Sequence, residues 1–403
     1  MTDPDPHSLP PYPLSPGAAA AETELREEVR RFVREHGLAR RYVELDVQPS
    51  FPKAEWKALA QLGWLGPRAP RSAGGKGLSL AQEAALMEEL AYGGGSVFAK
   101  LVLQPEFCSP LLHGSPDLVG RWYTPMLRGE LLVGNQITEP NAGSDAAALS
   151  TRAELQGEEY VLTGTKSEIA FAADAQAAIV YATVDPSRGS HGITAFLVPQ
   201  DLRGIRTELV DDLGERWMRR GTVHYDQVRV PRSLRIGEEG RGFRYLMEEL
   251  TPERCLLGLL YLAVARASWE ESRTYVRDRI AFGRPIGSFQ GVSFPMVEDL
   301  ARIEGARLFG WSVLAQLAGG ERMDAGSALV KWLGNETALT ALDHAMQVHG
   351  GSGYSRRWPH EQRWRDVRSG TTAHGTSEIL RVVAARELLQ LPSGKKDRPH
   401  GSS

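Results

Sequence analysis

The sequence predicts a multidomain α+β chain in the order helical, β, helical, and three changes of texture predict it. Between residues 22 and 36, Leu25, Val29, Phe32, Val33 and His36 recur at helical spacing, which gives one side of a helix to a core. From about Leu131 the segments become short, β-branched or aromatic, and are cut by Gly, Pro and Asp, the texture of strands and turns. After Gly242 long amphipathic stretches return. This order has no alternating βαβ units, and no G-x-G-x-x-G follows a strand, which argues against a Rossmann dinucleotide fold.

Taken in order, "AEWKALAQLGWLG" and "LAQEAALMEELAYGG" predict two further N-terminal helices, each ending at glycine. Strands are predicted at "LLVGNQIT", "EYVLTGTK", "AAIVYATV", "GITAFLVP" and "TVHYDQVRVP". Helices are predicted around 251–281, 296–318, 325–349 and 376–390. The expected domains are therefore 21–130 (helical), 131–238 (β) and 239–391 (helical). The acidic, Pro-rich residues 1–20 and the polar residues 392–403 are expected to be structureless, because they have too little apolar surface to bury.

Composition narrows the function. A net charge of −3 over 403 residues gives no electrostatic case for nucleic acid or an anionic membrane as partner. Cys108 and Cys255 are too few for a disulfide framework or a cysteine metal site, which fits a reducing, cytoplasmic setting. No run approaches the roughly 18 apolar residues that span a membrane, and the first residues lack the basic flank and apolar stretch of a signal peptide. H-E-x-x-H, Cys/His metal spacing and G-x-S-x-G are all absent, which removes the usual signatures of metalloenzymes and serine hydrolases.

Four segments carry the chemical information: "QITEPNAGSD" (136–145), "RIAFGRPIGSFQ" (279–290), "QVHGGSGY" (347–354) and "RDVRSGTTAHGTSEILR" (365–381). Singly, each reads as a turn or a helix cap. Jointly, in this order, they resemble the acyl-CoA dehydrogenase family over residues 20–391. The resemblance implies a middle β-barrel domain, a C-terminal four-helix bundle, FAD, and oxidation across the α and β carbons of an acyl thioester on coenzyme A or an acyl-carrier protein. It also implies a homodimer or homotetramer, with an electron-transfer flavoprotein or oxygen as electron acceptor.

The resemblance assigns residues, and their chemistry suits the assignment. In "TEPNAGSD" the chain turns after Thr138 and exposes N–H groups and hydroxyls that can bind flavin oxygens and phosphate; Thr138 and Ser144 match flavin contacts. Arg279, Phe282 and Gln290 match residues that hold the diphosphate and adenine end of FAD across a subunit interface, Arg by its phosphate geometry and Phe by stacking. Gln347, Gly350 and Gly351 match a Q-x-x-G-G element, where glycine lets the backbone approach the cofactor. Thr376 matches a further FAD contact at a helix start, where anions are favoured.

Two departures bear on mechanism. The family element G-x-K-x-W-I-T, whose Trp covers the flavin edge and whose Thr bonds near N5, reads "GTKSEIA" here, with Glu168 and Ala170 at those places. The missing hydroxyl removes one hydrogen bond, about 1 kcal/mol. Glu168 either adds negative charge beside the ring or points to solvent. Either way the usual electron acceptor comes into question, which keeps open a flavin-dependent monooxygenase on this scaffold or a catalytically silent member.

The second departure is His374, which stands immediately before "GTSEI", where many members carry the glutamate that removes the α proton. In "ELTPERCLLGLL" a helix start is predicted, with Thr251 as N-cap and Pro252 in the first turn. Glu253 there could simply complement the helix dipole. Glu253 followed by Arg254 also matches the isovaleryl-CoA and long-chain acyl-CoA dehydrogenases, whose base lies at this place. The resemblance therefore makes Glu253 the general base, with Arg254 and His374 facing substrate. A neutral imidazole can accept a proton, so His374 stands as the rival base.

Overall fold

The computed structural model describes residues 9–391 apart from 16 and 18. The N-terminal part contains α1 (Ala20–Glu35), α2 (Leu38–Val47), α3 (Lys53–Gln61), α4 (Leu80–Gly94), α5 (Ser96–Phe107), and the short α6 (Pro116–Leu118) and α7 (Thr124–Leu127). Ser79 caps α4 by a capping box with Gln82, which satisfies two otherwise orphaned N–H groups. Helix α5 is buried on nearly every side, so it has no apolar stripe for a periodicity argument to detect.

Residues 9–15 correct the expectation of a structureless start. Tyr12 is buried beneath the Arg307 guanidinium, Arg307 Nη2 donates to the Pro13 carbonyl at 2.8 Å, and Tyr92 donates to the Pro10 carbonyl at 2.9 Å. A proline-rich segment loses little entropy on docking, and these anchors suffice to hold it. Residues 1–8 and 392–403 lie outside the described residues.

The middle part contains β1 (Val133–Gln136), β2 (Arg152–Gln156), β3 (Glu159–Ile169), β4 (Ala177–Thr183), β5 (Ile193–Pro199), β6 (Ile205–Leu209), β7 (Gly221–Pro231) and β8 (Arg235–Ile236). Their order is β6-β7-β3-β2-β4-β5-β8, with β1 parallel to β4. The ladder leaves β6 and β8 as ends, so hydrogen bonding among the described residues does not close the expected barrel. The sheet nevertheless folds on itself: Tyr160, Leu162, Val223 and Tyr225 share one apolar cluster with Ala178, Val180, Phe196 and Val198.

Alternation on β4 explains how this part joins the helices. Ala178, Val180 and Ala182 face the β core, whereas Ala177, Ile179 and Tyr181 belong to the helical core. A strand buried on both faces reads as an unbroken apolar run, as "AAIVYAT" does.

The C-terminal part contains α8 (Gly242–Asp278), the hairpin β9 (Ile280–Ala281) and β10 (Arg284–Pro285), then α9 (Gln290–Ala318), α10 (Asp324–Val348), α11 (His360–Arg368) and α12 (Ser377–Leu388). Helix α10 packs on α8, α9 and α12. Its closest approach to α8 requires glycine: a Cβ on Gly334 would lie 2.6 Å from the Gly258 carbonyl oxygen, and one on Gly258 2.6 Å from that of Val330. Thr251 is not the N-cap that was expected. Helix α8 begins at Gly242 and runs through Pro252, and the Thr251 hydroxyl donates to Asp324 Oδ1 at 2.6 Å. Pro252 denies the Glu248 carbonyl its helical partner, but both flanks pack against other elements, and packing rather than local preference sets the helix.

Among the described residues no helix is long and apolar enough to cross a membrane, and no group of three or more His, Cys, Asp or Glu could hold a metal.

Candidate active site

Glu253 sits on the inner face of α8 and is 2% exposed. Its Oε2 lies 3.9 Å from His374 Nδ1, and its Oε1 has no hydrogen-bond partner. Burial pushes its carboxyl well above the usual carboxylate range, and Glu249, Glu106 and Glu83 push in the same direction against Arg68. Loss of water and nearby like charge both disfavour the anion.

His374 is held rather than free. Its backbone is left-handed, at φ 53°, its ring stacks on Phe107 at 4.4 Å, and its carbonyl accepts from Arg254 Nε at 3.2 Å. Burial, Lys331, Lys100 and Arg254 push its imidazole down to about 3. The ring is therefore neutral near pH 7, and an imidazole that binds a proton so weakly is a poor general base. The contact with Glu253 is accordingly dipolar and not an ion pair. Arg254, expected to face substrate, is committed at Nε to positioning this loop.

Lys331 was not legible as a site residue. It lies inside "SALVKWLGN" on α10, and its Nζ donates to the carbonyls of Gly370, Ala373 and Gly375 at 2.8, 2.5 and 2.8 Å. All three ammonium donors are used, and they fix the turn that carries His374. A lysine within an apolar helical run was the one available signal. Thr376 then starts α12, its hydroxyl accepting from Ile379 N at 3.2 Å, so N–H groups of that helix face the same region.

The motif residues of the β part are tied together by an ion pair that sequence reasoning missed. Lys166 Nζ reaches Glu139 Oε1 at 2.8 Å and the Ile137 carbonyl at 2.9 Å, and Ser167 N donates to the Thr138 carbonyl at 2.9 Å. The turn bearing Thr138 is thereby fixed to β3, while Ser144 is exposed further along it. Glu168 takes a left-handed conformation at φ 59° and bonds Arg220 at 2.9 Å, a guanidinium that also holds Asp212. Its charge is paired and half-exposed. Ala170 is half-buried two residues on.

A second group gathers at the hairpin. Phe282 and Gly283 both have positive φ, 50° and 78°, as a two-residue I′ turn requires. Phenylalanine there is strained, yet its ring is 96% exposed. Arg279 and Gln290 flank it, both exposed. An apolar groove of ≈ 370 Å³ is lined by Phe282, Ile286, Phe289, Pro295, His344 and Gln347 among others. No atom lies within 4 Å of a Cβ built on Gly350 or Gly351, which leaves their backbone open to close approach. The groove does not include Thr138, Ser144 or Thr376.

The helical, β and helical parts come together around the buried acid Glu253. The chain belongs to the acyl-CoA dehydrogenase family, FAD-dependent enzymes acting on CH–CH bonds: the family's N-terminal, middle and C-terminal domain profiles match residues 19–130, 134–228 and 240–389. It is 31% identical over 380 residues to a 3-(aryl)acrylate reductase of Clostridium sporogenes, covering 91% of this chain and 99% of that one. It is 33% identical over 369 residues to the mitochondrial short-chain specific acyl-CoA dehydrogenase of Rattus norvegicus, covering 91% and 89%. The crystal structure of a prolyl acyl carrier protein oxidase superposes with a TM-score of 0.86 at 27% identity, covering 92% and 99%.

The residues present fit FAD. The open glycine backbone at 350–351, the exposed Phe282 ring and the exposed Arg279 would offer a bound FAD close approach, a stacking face and a phosphate partner.

Proposed function

We propose that this chain dehydrogenates an acyl thioester, carried by coenzyme A or an acyl-carrier protein, with Glu253 as the general base. The observation that carries the assignment is the Glu253 carboxyl, buried, unpartnered at Oε1 and raised well above the usual carboxylate range by burial. A bound FAD would supply the acceptor for the hydride from the β carbon. Glu253 takes the α proton at a carboxylate oxygen, so that one C–H pair of electrons becomes the new C=C bond and the other departs as hydride. His374 and Phe107 form a stacked wall beside the acid, and Lys331 and Arg254 hold that wall in place.

Thr138, Ser144 and Thr376 are assigned to the flavin, and Arg279, Phe282, Gln290, Gln347, Gly350 and Gly351 to its diphosphate and adenine end. That the lining of the hairpin groove does not include Thr138, Ser144 or Thr376 supports completion of each FAD site by a second copy, giving a homodimer or homotetramer. The retained acid at 253 disfavours the monooxygenase and silent-member readings. Electron-transfer flavoprotein or oxygen receives the electrons afterwards. The purified protein should be yellow and lose that colour anaerobically on addition of an acyl thioester; a yellow protein that no acyl thioester bleaches would refute the reading.

A further inference from the structure

Next to Glu253, one helical turn away on the same face of α8, the structure gathers three carboxyl groups around one guanidinium. Arg68 is the hub. Its Nε meets Glu83 at 2.5 Å, and its Nη2 lies 3.5 Å from both Glu106 and Glu249, while its backbone N–H donates to Glu106 at 3.0 Å. One guanidinium thus faces three carboxyl groups, of which Glu83 and Glu106 are buried. Buried charges ordinarily come paired. Glu249 and Glu253 are four residues apart and so neighbours on the helix surface.

A separate observation concerns hydrogen bonding. Glu83 Oε1, Tyr123 OH, Tyr181 OH and Glu253 Oε1 are all buried without a partner. Tyr123 feels Glu106 and Glu249, and Tyr181 feels Glu253, so these orphaned atoms surround the same region. Buried polar groups in folded proteins are almost always satisfied, and an unsatisfied set calls for an explanation. The set holds two carboxyl oxygens and two phenols, whose hydroxyls both donate and accept. What three carboxyl groups around a single guanidinium lack is a second cation.

We propose that this enzyme accepts a cationic acyl group, an amine-bearing acyl thioester whose ammonium is received by Glu106, Glu249 and Glu83; this rests on the dehydrogenase reading with Glu253 as base. An ammonium offers three donors and no acceptor, the complement of the three carboxyl groups. Its distance from the reacting carbon follows from the helix: four residues rise roughly 6 Å, so the nitrogen sits about that far beyond the α carbon. A straight chain ending in a primary amine at the sixth carbon meets that spacing. An alkyl group of equal length leaves the acids unpaired, and a terminal carboxylate is repelled.

The test compares 6-aminohexanoyl-pantetheine with heptanoyl-pantetheine, similar in length and differing in terminal charge, by anaerobic flavin reduction in the FAD-loaded protein. The ammonium compound is expected to show at least a tenfold higher rate at limiting concentration. That ratio should fall at least tenfold in Glu106→Gln. Glu249→Gln, at a partly exposed position, gives the same reading should the first variant fail to fold. Bleaching by the heptanoyl compound with equal or greater efficiency overturns the inference and leaves the dehydrogenase reading standing. Bleaching by neither overturns the inference, the dehydrogenase reading falling with it only when no other acyl thioester bleaches the flavin, and a charge preference that survives both substitutions removes the assignment to this cluster.

Discussion

His374 Nδ1 lies 3.9 Å from Glu253 Oε2, and both groups are held toward their neutral forms, the imidazole down to about 3 and the carboxyl upward. Two candidate bases are thus neighbours, and their surroundings separate their roles. Burial among Lys331, Lys100 and Arg254 weakens the histidine as a proton acceptor, whereas burial near other carboxyls strengthens the glutamate.

Glu253→Gln keeps the size of the side chain and removes its basicity. Flavin reduction by an acyl thioester should fall on the order of 10²–10⁴-fold, with FAD retained. His374→Ala should cost about tenfold, or roughly 1.4 kcal/mol, through the lost stack on Phe107. Stopped-flow reduction of both variants decides; collapse in His374→Ala with near-normal rates in Glu253→Gln would reverse the assignment.

Glu106 gives a pH prediction. Burial first, then Glu83, raises its carboxyl to about 8. A folded value above the unfolded one means the native state binds the extra proton. The stabilisation is therefore complete below the unfolded value and is lost as pH rises through about 8. Glu106→Gln mimics the protonated form, so the variant should gain in melting temperature relative to wild type between pH 5 and pH 8. Parallel curves for the two proteins across that range would show the group to be ordinary.

Phe282 supplies a prediction without ambiguity about folding. A ring that is 96% exposed contributes little to the chain's own core, so Phe282→Ala should change stability by no more than about 0.5 kcal/mol in denaturant unfolding of the FAD-free protein. FAD content should nevertheless fall several-fold, and the assembly measured by sedimentation should loosen. Unaltered FAD content would remove the ring from the cofactor site.

The sequence by itself determined the order helical, β, helical, because a period of 3.6 or of 2 is written in neighbouring residues. It also located the strands "AAIVYAT" and "GITAFLVP" and, through the four motifs, the family, while "ELTPERCLLGLL" singled out Glu253 as the candidate base. Helix α5 was not legible, because burial on all sides erases its stripe. Nor was the start of α8, where Thr251 and Pro252 imitate a cap that long-range packing overrides. The docking of residues 9–15 depends on Arg307, and the clamp on His374 depends on Lys331. Each joins residues far apart in the chain, at the cost of ordering both, and only the completed core brings them together. The same holds for Arg68 with Glu83, Glu106 and Glu249: every one of these reads as a surface charge in sequence, and burial alone turns them into an electrostatic site.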